Sequence, residues 1–299
     1  RLNVTRLIQC HPRAGGFNFS FYSMASPCEV LIDGENKCIA QQLANAVAKE
    51  AWRIEDKYSR YNINSVCGQL NANAGQLCEI DNETYLLLQF AEQCYQISDG
   101  LFDISSGILR KVWQFDGSSN IPTQTNINKL LPFIGWSKIT LTETHFLMKK
   151  NMEIDLGGLG KEYAVDKSII MAKAMSESPV LINFGGDIAV TGPRENNEPW
   201  LVGIEHPSFS KQRNVMVKIT QGAIATSGDA NRFLLHNGKR YGHVLNVKTG
   251  WSVENPPNAI TVAAPQCIQA GFLATLALLQ GENAERFLSA QAIQHWSIR

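Results

Sequence analysis

Residues 153–166 read Glu-Ile-Asp-Leu-Gly-Gly-Leu-Gly-Lys-Glu-Tyr-Ala-Val-Asp and carry much of what is needed to hold a phosphorylated ligand. Met152, Ile154 and Leu156 alternate as at the end of a strand. A glycine-rich bend follows, and residues 163–175 then have helical spacing. Glycines between strand and helix let backbone come close to a ligand, and the unpaired N–H groups of a helix start attract an anion. Lys161 adds a cation at that point and Asp155 a carboxylate at the strand end. Such a turn suits a phosphate, although glycines at many strand-to-helix turns serve geometry alone.

Four further stretches hold reactive or polar groups in order. Residues 183–187, Asn-Phe-Gly-Gly-Asp, end a buried strand in a double glycine and an acid, which reads equally as a tight turn. Residues 223–229 bring the Ser227 hydroxyl, a glycine and the Asp229 carboxylate together, with Arg232 just beyond. Such a loop holds phosphate oxygens or caps the next element. His243 places one imidazole on an extended segment before the turn at 248–250, as a structural residue or as a base. Leu101, Phe102 and Asp103 form an apolar platform beside an acid, with Phe102 reading as core.

The elements that position these residues follow from hydrophobic spacing. Residues 19–32 are extended, with a break at Pro27. Residues 41–58 form an amphipathic helix with Leu43, Val47, Ala51, Ile54 and Tyr58 on one stripe. A polar loop covers 61–74, and a second helix covers 84–97 with Asp81 and Asn82 as cap candidates. Residues 103–113 read as irregular and 123–131 as a short helix. Strands are expected near 138–141, 146–149, 180–184, 188–190, 201–205, 215–219, 233–235 and 260–263. Helices at 267–279 and 283–290 close the chain. The pattern is α+β, one domain over 1–299, with helices early and a strand-rich second half.

Composition narrows the class. The 299 residues carry 27 Lys and Arg against 27 Asp and Glu, with 44% hydrophobic residues. A neutral chain lacks the basic face of a nucleic-acid binder. The longest apolar run, 272–279, is too short to span a bilayer. Seven scattered cysteines include no C-x-x-C pair, which argues against a zinc site, and their odd number argues against a complete disulfide framework. They read as buried thiols in a reducing compartment or in an inert periplasmic protein.

The order of the blocks adds more than any one of them. Tyr61 with Ser65 and Asn71, then Asp-Gly-Leu-Phe-Asp-Ile-Ser-Ser-Gly from Asp99 and Trp113 come first. Ile154–Asp166, Asn-Phe-Gly-Gly-Asp-Ile from Asn183, Ala-Thr-Ser-Gly-Asp from Ala225 and Tyr-Gly-His-Val-Leu-Asn-Val-Lys-Thr-Gly from Tyr241 follow, with Ala-Pro-Gln-Cys from Ala264 and Thr275 last. This succession resembles the ApbE family of flavin transferases from about Met24 to the C-terminus. The resemblance implies a T-fold-related α+β architecture, a helical lobe packed on a strand-rich core with an FAD cleft between them. It implies cleavage of the FAD pyrophosphate with Mg²⁺, transfer of FMN to a Ser or Thr hydroxyl of a partner protein, and release of AMP. Acceptors in the family are subunits of membrane redox complexes. By similarity, Met24, Tyr61, Leu101, Phe102, Asp103, Asp155, Lys161 and Ser227 line the FAD site. Lys161, Asp229 and His243 carry catalysis, with His243 taking the acceptor's proton. Gly158 and Thr275 belong to the metal site.

One departure bears on that site. The family's last helix reads Ala-Asp-x-x-x-Thr, whereas this chain has Gly271 in place of the acid and keeps Thr275. Losing a carboxylate should weaken Mg²⁺, which wants oxygen ligands. Asn246 and Glu162 depart as well: Glu162 stands where a glycine usually follows the lysine, and Glu162 or Asp187 is a candidate to supply the missing charge. Three readings therefore stand together: an FMN transferase with an altered metal site, an FAD-binding carrier or assembly partner without transferase activity, and an FAD-hydrolysing enzyme. Most members are exported, which points to the periplasm and to a trimmed leader or lipid anchor before Arg1; the cysteines lean toward the cytoplasm.

Overall fold

The structure is a computed structural model that describes residues 5–34, 36–204, 215–228 and 232–299. In chain order it runs β1 (Gln9–Arg13), β2 (Gly16–Ser23), β3 (Ser26–Asp33), α1 (Lys37–Tyr58), α2 (Val66–Ala72), β4 (Cys78–Glu79) and α3 (Asn82–Ile97). A 3-10 segment (Ile104–Lys111), α4 (Gln124–Leu130), β5 (Thr140–Leu141), β6 (His145–Leu147) and α5 (Gly157–Met175) follow. The remainder comprises β7 (Val180–Phe184), β8 (Asp187–Val190), β9 (Trp200–Ile204), β10 (Val215–Ile219), β11 (Ala223–Gly228), β12 (Phe233–His236) and β13 (Lys239–Gly242). The last elements are β14 (Ala259–Ala264), α6 (Cys267–Leu279), α7 (Ala284–Ala290) and β15 (His295–Ile298).

Eight strands form one antiparallel sheet in the order β1-β2-β3-β7-β8-β11-β14-β15. Its neighbours follow chain order, and all of α1 through α5 enters between the paired strands β3 and β7. Phe19, Cys28, Val30, Ile32, Ile182 and Phe184 point into the main core, where α1, α5 and α6 pack. On the other face, Leu181, Ile188, Val190 and Ile224 meet Trp200, Val202 and Ile219 of the β9–β10 hairpin. Alternation along each strand accounts for both faces being apolar. A separate core joins Ile108, Leu109 and Trp113 to Ile127, Ile134 and Leu234.

Helix α1 forms because Leu43, Val47, Ala51, Ile54 and Tyr58 recur on one buried stripe and the Asn36 side chain caps Ile39 N–H. Helix α6 is capped from another element. The Asp166 carboxylate on α5 accepts from Cys267 N at 2.7 Å and Ile268 N at 2.9 Å. A cap of this kind is worth about 1–2 kcal/mol. Asp166→Ala should lower unfolding stability in urea by that amount, and an unchanged midpoint would show that the cap contributes nothing.

Several sequence-based expectations need correction. Helix α5 begins at Gly157 rather than at Tyr163, so the glycine stretch is the helix's first turns and not a bend. Asp155 Oδ1 accepts from Gly157 N at 2.8 Å, and buried Leu159 and Gly160 fix that turn against the core. Residues 152–156 alternate without pairing in a sheet. The polar loop at 61–74 contains α2, where Ser65 caps Gly68 and Cys67 and Leu70 are buried. The irregular stretch at 103–113 is the 3-10 segment. The break in 19–32 falls at Met24 and Ala25, both with positive φ, and Pro27 lies inside β3 opposite Tyr22. Residues 223–228 form a central strand rather than a loop, and Glu205 lies outside the described residues. All seven cysteines are free, with Cys28, Cys67, Cys94 and Cys267 buried.

Candidate functional site

The turns of the main sheet and the starts of the helices gather the polar residues. Lys161, on the second turn of α5, reaches the β7–β8 turn, where its Nζ lies 3.1 Å from Asp187 Oδ2. A methyl group added at Gly185, whose φ is +62°, would stand 2.6 Å from Ser26 Oγ and 3.3 Å from Lys161 Nζ. Glycine is required there both by the positive φ and by that crowding. The Met24 turn is thereby drawn to the same place. Met24 N donates to Glu55 Oε2 at 2.5 Å, which ties the turn to α1.

Two buried carboxyls lie beneath Lys161. Asp187 is almost fully buried, and Thr226 N donates to its Oδ1 at 3.3 Å. Glu162 is buried as well, and neither its Oε2 nor Asp187 Oδ2 has a hydrogen-bond partner, the Lys161 contact being an ion pair without hydrogen-bond geometry. Burial, then the charge of Asp187, holds the Glu162 carboxyl well above the usual range. Burial raises Asp187 as well, and Lys161 pulls it back. Burial would lower the Lys161 pKa, but the charges of Asp187 and Glu162 outweigh it and leave it above the ordinary lysine value. The Cys267 thiol is raised well above its ordinary value by burial and by the same two acids.

Two hydroxyls, from β11 and α6, meet on the α6 face that Glu162 packs against. Ser227 Oγ on β11 and Thr275 Oγ1 on α6 are 3.1 Å apart. Thr275 stands one turn beyond Gly271 on α6, so both positions face the same way. A Cβ at Gly271 would lie 2.7 Å from Glu162 Cγ and 3.1 Å from its Cδ and Oε1. The Glu162 carboxyl therefore fills the space a side chain at 271 would need.

A second group forms at the start of α5. Asp155 pairs with Arg60 at 2.8 Å, and the Arg60 guanidinium lies 4.9 Å from the Tyr61 ring centre while donating to Tyr61 Oη at 2.9 Å. Tyr61 remains exposed. The strand-like approach is fixed by Asn71, which donates to Ile154 O at 3.0 Å and accepts from Ile154 N at 2.8 Å. Gly158 is exposed with open space above its Cα.

The remaining predicted residues fall elsewhere. Phe102 is buried edge-on to Phe272 at 5.4 Å, as its core reading expects. Asp103 accepts from Ser105 N, Ser105 Oγ and Trp136 N, which makes it a brace for the 3-10 segment, while Leu101 is half-buried. His243 directly follows β13, edge-on to Phe115 at 6.4 Å. Its Nδ1 is buried without a hydrogen-bond partner. Burial first, then the Arg232 charge, lowers its pKa to about 4. Asp229 lies outside the described residues. Arg60 was not anticipated from the sequence; the only signal was that Asp155, at a strand end, requires a cation.

Among the described residues no group of three or more His, Cys, Asp and Glu is placed to hold a metal, and no helix is long and apolar enough to cross a membrane.

Comparison with known proteins bears on the whole arrangement. The chain is 25% identical to the ApbE protein of Thermotoga maritima, whose crystal structure superposes with a TM-score of 0.85 over 94% of each chain. The Pseudomonas stutzeri flavinyl transferase ApbE shares the fold at a TM-score of 0.82, with 21% identity over 100% of this chain and 93% of that one. In sequence, the FAD:protein FMN transferase of Vibrio cholerae is 27% identical over 77% of this chain and 71% of its own length. That of Chlamydia pneumoniae is 28% identical over 81% and 76% respectively. The model of the ApbE family matches residues 24–295, and the chain belongs to that family.

Proposed function

We propose that the protein is an FAD:protein FMN transferase. It binds FAD, breaks the pyrophosphate, and passes the FMN half to a Ser or Thr hydroxyl of an acceptor protein, of the kind the family finds in membrane redox complexes. The observation that carries the reading is the Lys161 ammonium, held over buried Asp187 and Glu162 beside the glycine turn of Gly185. A cation fixed in a partly dry site, facing backbone that a phosphate can approach, stabilises charge as it grows on a leaving phosphate.

In the reaction, the acceptor oxygen forms a bond to the FMN-side phosphorus. The bond from that phosphorus to the bridging oxygen breaks, and AMP leaves with that oxygen and its electron pair. The acceptor's proton goes to His243, whose free Nδ1 and depressed pKa keep it a neutral base at working pH. Met24, Tyr61, Leu101 and Asp155 are assigned to the flavin and adenosine ends of the ligand, whereas Phe102, packed on Phe272, and Asp103, whose oxygens are taken by Ser105 and Trp136, support that segment from behind. Of these, Tyr61 offers an exposed ring for stacking, while Asp155 and Arg60 set the start of α5. Ser227 is assigned to the phosphates, and Asp229, outside the described residues, keeps the catalytic role the resemblance gives it.

The orphaned oxygens of Glu162 and Asp187, with the Thr275 hydroxyl close by, fit a hard divalent cation such as Mg²⁺, which binds through one or two carboxylates plus substrate phosphate. Gly158 would add a backbone oxygen. When bound, such a cation neutralises pyrophosphate charge.

The test is to incubate the protein with FAD, a Ser/Thr acceptor peptide, and either Mg²⁺ or EDTA, then weigh the peptide and assay AMP. A Mg²⁺-dependent FMN adduct with AMP in equal amount is expected. A flavin that stays intact FAD under both conditions would sink the transferase and leave the carrier reading, for which Gly271 is the one specific observation. FMN and AMP without adduct would point to hydrolysis.

A further inference from the structure

The structure assigns to Glu162 a role that its helix position does not advertise: we propose that Glu162 and Asp187 together form a two-carboxylate seat for a divalent cation, with Glu162 reaching from α5 into the notch left by Gly271 on α6. This deepens the transferase reading and rests on it for its purpose. Three observations carry it. First, Glu162 Oε2 and Asp187 Oδ2 are buried without hydrogen bonds. Such groups are costly unless something charged or polar completes them. Lys161 supplies one positive charge to two carboxyls whose own charges oppose each other, and Glu162 Oε2 has no hydrogen-bond donor.

Second, the place of Glu162 depends on the absence of a side chain at 271. A Cβ there would come within 2.7 Å of Glu162 Cγ, closer than carbon atoms approach, so a side chain at 271 and the present Glu162 rotamer exclude each other. One residue must be small for the other to deliver its carboxyl. Position 271 faces Thr275, so an acid on either helix would place its oxygens in the same small volume. Third, the donor set is right for a hard cation. It consists of carboxylate and hydroxyl oxygens, without an imidazole, and an ammonium stands ready to share a phosphate.

The test uses Mn²⁺ as the probe, titrated into the full protein with and without FAD, with unbound Mn²⁺ read by EPR. The parent is expected to bind Mn²⁺, and Glu162→Gln to weaken it at least about tenfold, the lower end of what loss of even an outer-shell partner does. Asp187→Asn should do the same. Gly271→Asp alone should not tighten binding, because the new side chain collides with Glu162. The double variant Glu162→Gly with Gly271→Asp should return to within a few-fold of the parent, since the carboxyl is handed back to α6. Near-UV circular dichroism confirms that each variant is folded. A folded Glu162→Gln protein that holds Mn²⁺ as tightly as the parent would overturn the proposal, as would a parent that binds none. A folded double variant no tighter than Glu162→Gln would overturn the shared-space argument on which it stands. Mn²⁺ binding that follows this pattern while no FMN adduct forms would sink the transferase reading and leave the cation seat intact.

Discussion

In a His243→Gln variant, FMN transfer is expected to fall about 10²–10⁴-fold, the range of a lost general base, while FAD binding stays within a few-fold. The residue packs edge-on against Phe115 and makes no contact with the Lys161–Asp187 ion pair, so its removal leaves that ion pair in place. The pH dependence is more particular. The folded imidazole takes up its proton only near pH 4, against an ordinary value of 6.5. The acid limb of kcat should therefore lie well below 6.5, and transfer should stay nearly flat from pH 6 to 8. The sign for stability follows from proton counting. Between those two values the unfolded chain binds more protons than the folded one, so stability falls as pH drops through that window. For this one group the loss approaches roughly 3 kcal/mol. Urea midpoints at pH 7 and pH 4.5 should show a smaller drop for the Gln variant than for the parent. Equal drops would remove the buried neutral imidazole from the account, and an unchanged transfer rate would remove it from catalysis.

The second large effect is at Lys161. Replacing it with methionine keeps the length and the apolar stem but removes the charge facing the pyrophosphate. Transfer should fall about 10²–10³-fold, the loss seen when one preorganised electrostatic contact is taken from a developing anion. The reaction to follow is adduct formation at saturating FAD, so that weaker binding is not mistaken for slower chemistry. Asp187 also loses the cation that pulls its pKa down, and its carboxyl should become harder to ionise. Lys161→Arg should recover only part of the rate, because the wider planar fork must sit beside Gly185, where even an added methyl would stand 3.3 Å from the ammonium. A methionine variant with parental turnover would show that the ammonium only balances the two acids beneath it.

Much of this was legible in the chain, because order and local spacing carry it. The stripe from Leu43 to Tyr58 marked α1, the Asp81 cap marked α3, and the apolar runs at 180–184 and 260–263 marked central strands. The start of α5 was misread because glycine is counted as a helix breaker, yet its first turn is held by Asp155 and by buried Leu159. Residues 223–228 looked like a loop because Thr, Ser and Gly favour turns; unbroken pairing with β14, begun where Ala223 and Ile224 also pair with β8, overrides that local preference. In the site, Lys161 and Asp155 stood out by type. Arg60 and the occupation of the 271 notch by Glu162 did not, since each depends on two segments meeting that are far apart in sequence.

The placement of α1 through α5 between paired strands β3 and β7 has a consequence for how the chain comes off the ribosome. About 150 residues separate the two strands, which at ordinary synthesis rates of 5–20 residues per second means a delay of roughly 10–30 s. During that time β3 has β2 on one side and an open row of N–H and C=O groups on the other. Such an edge invites pairing with a neighbouring nascent chain. Helix α1, which follows β3 after a short link, can cover the apolar face of the hairpin early but cannot fill the edge. Yield of soluble protein should therefore depend on translation speed and on chaperones that hold an unfinished sheet, more than on the stability of the finished one.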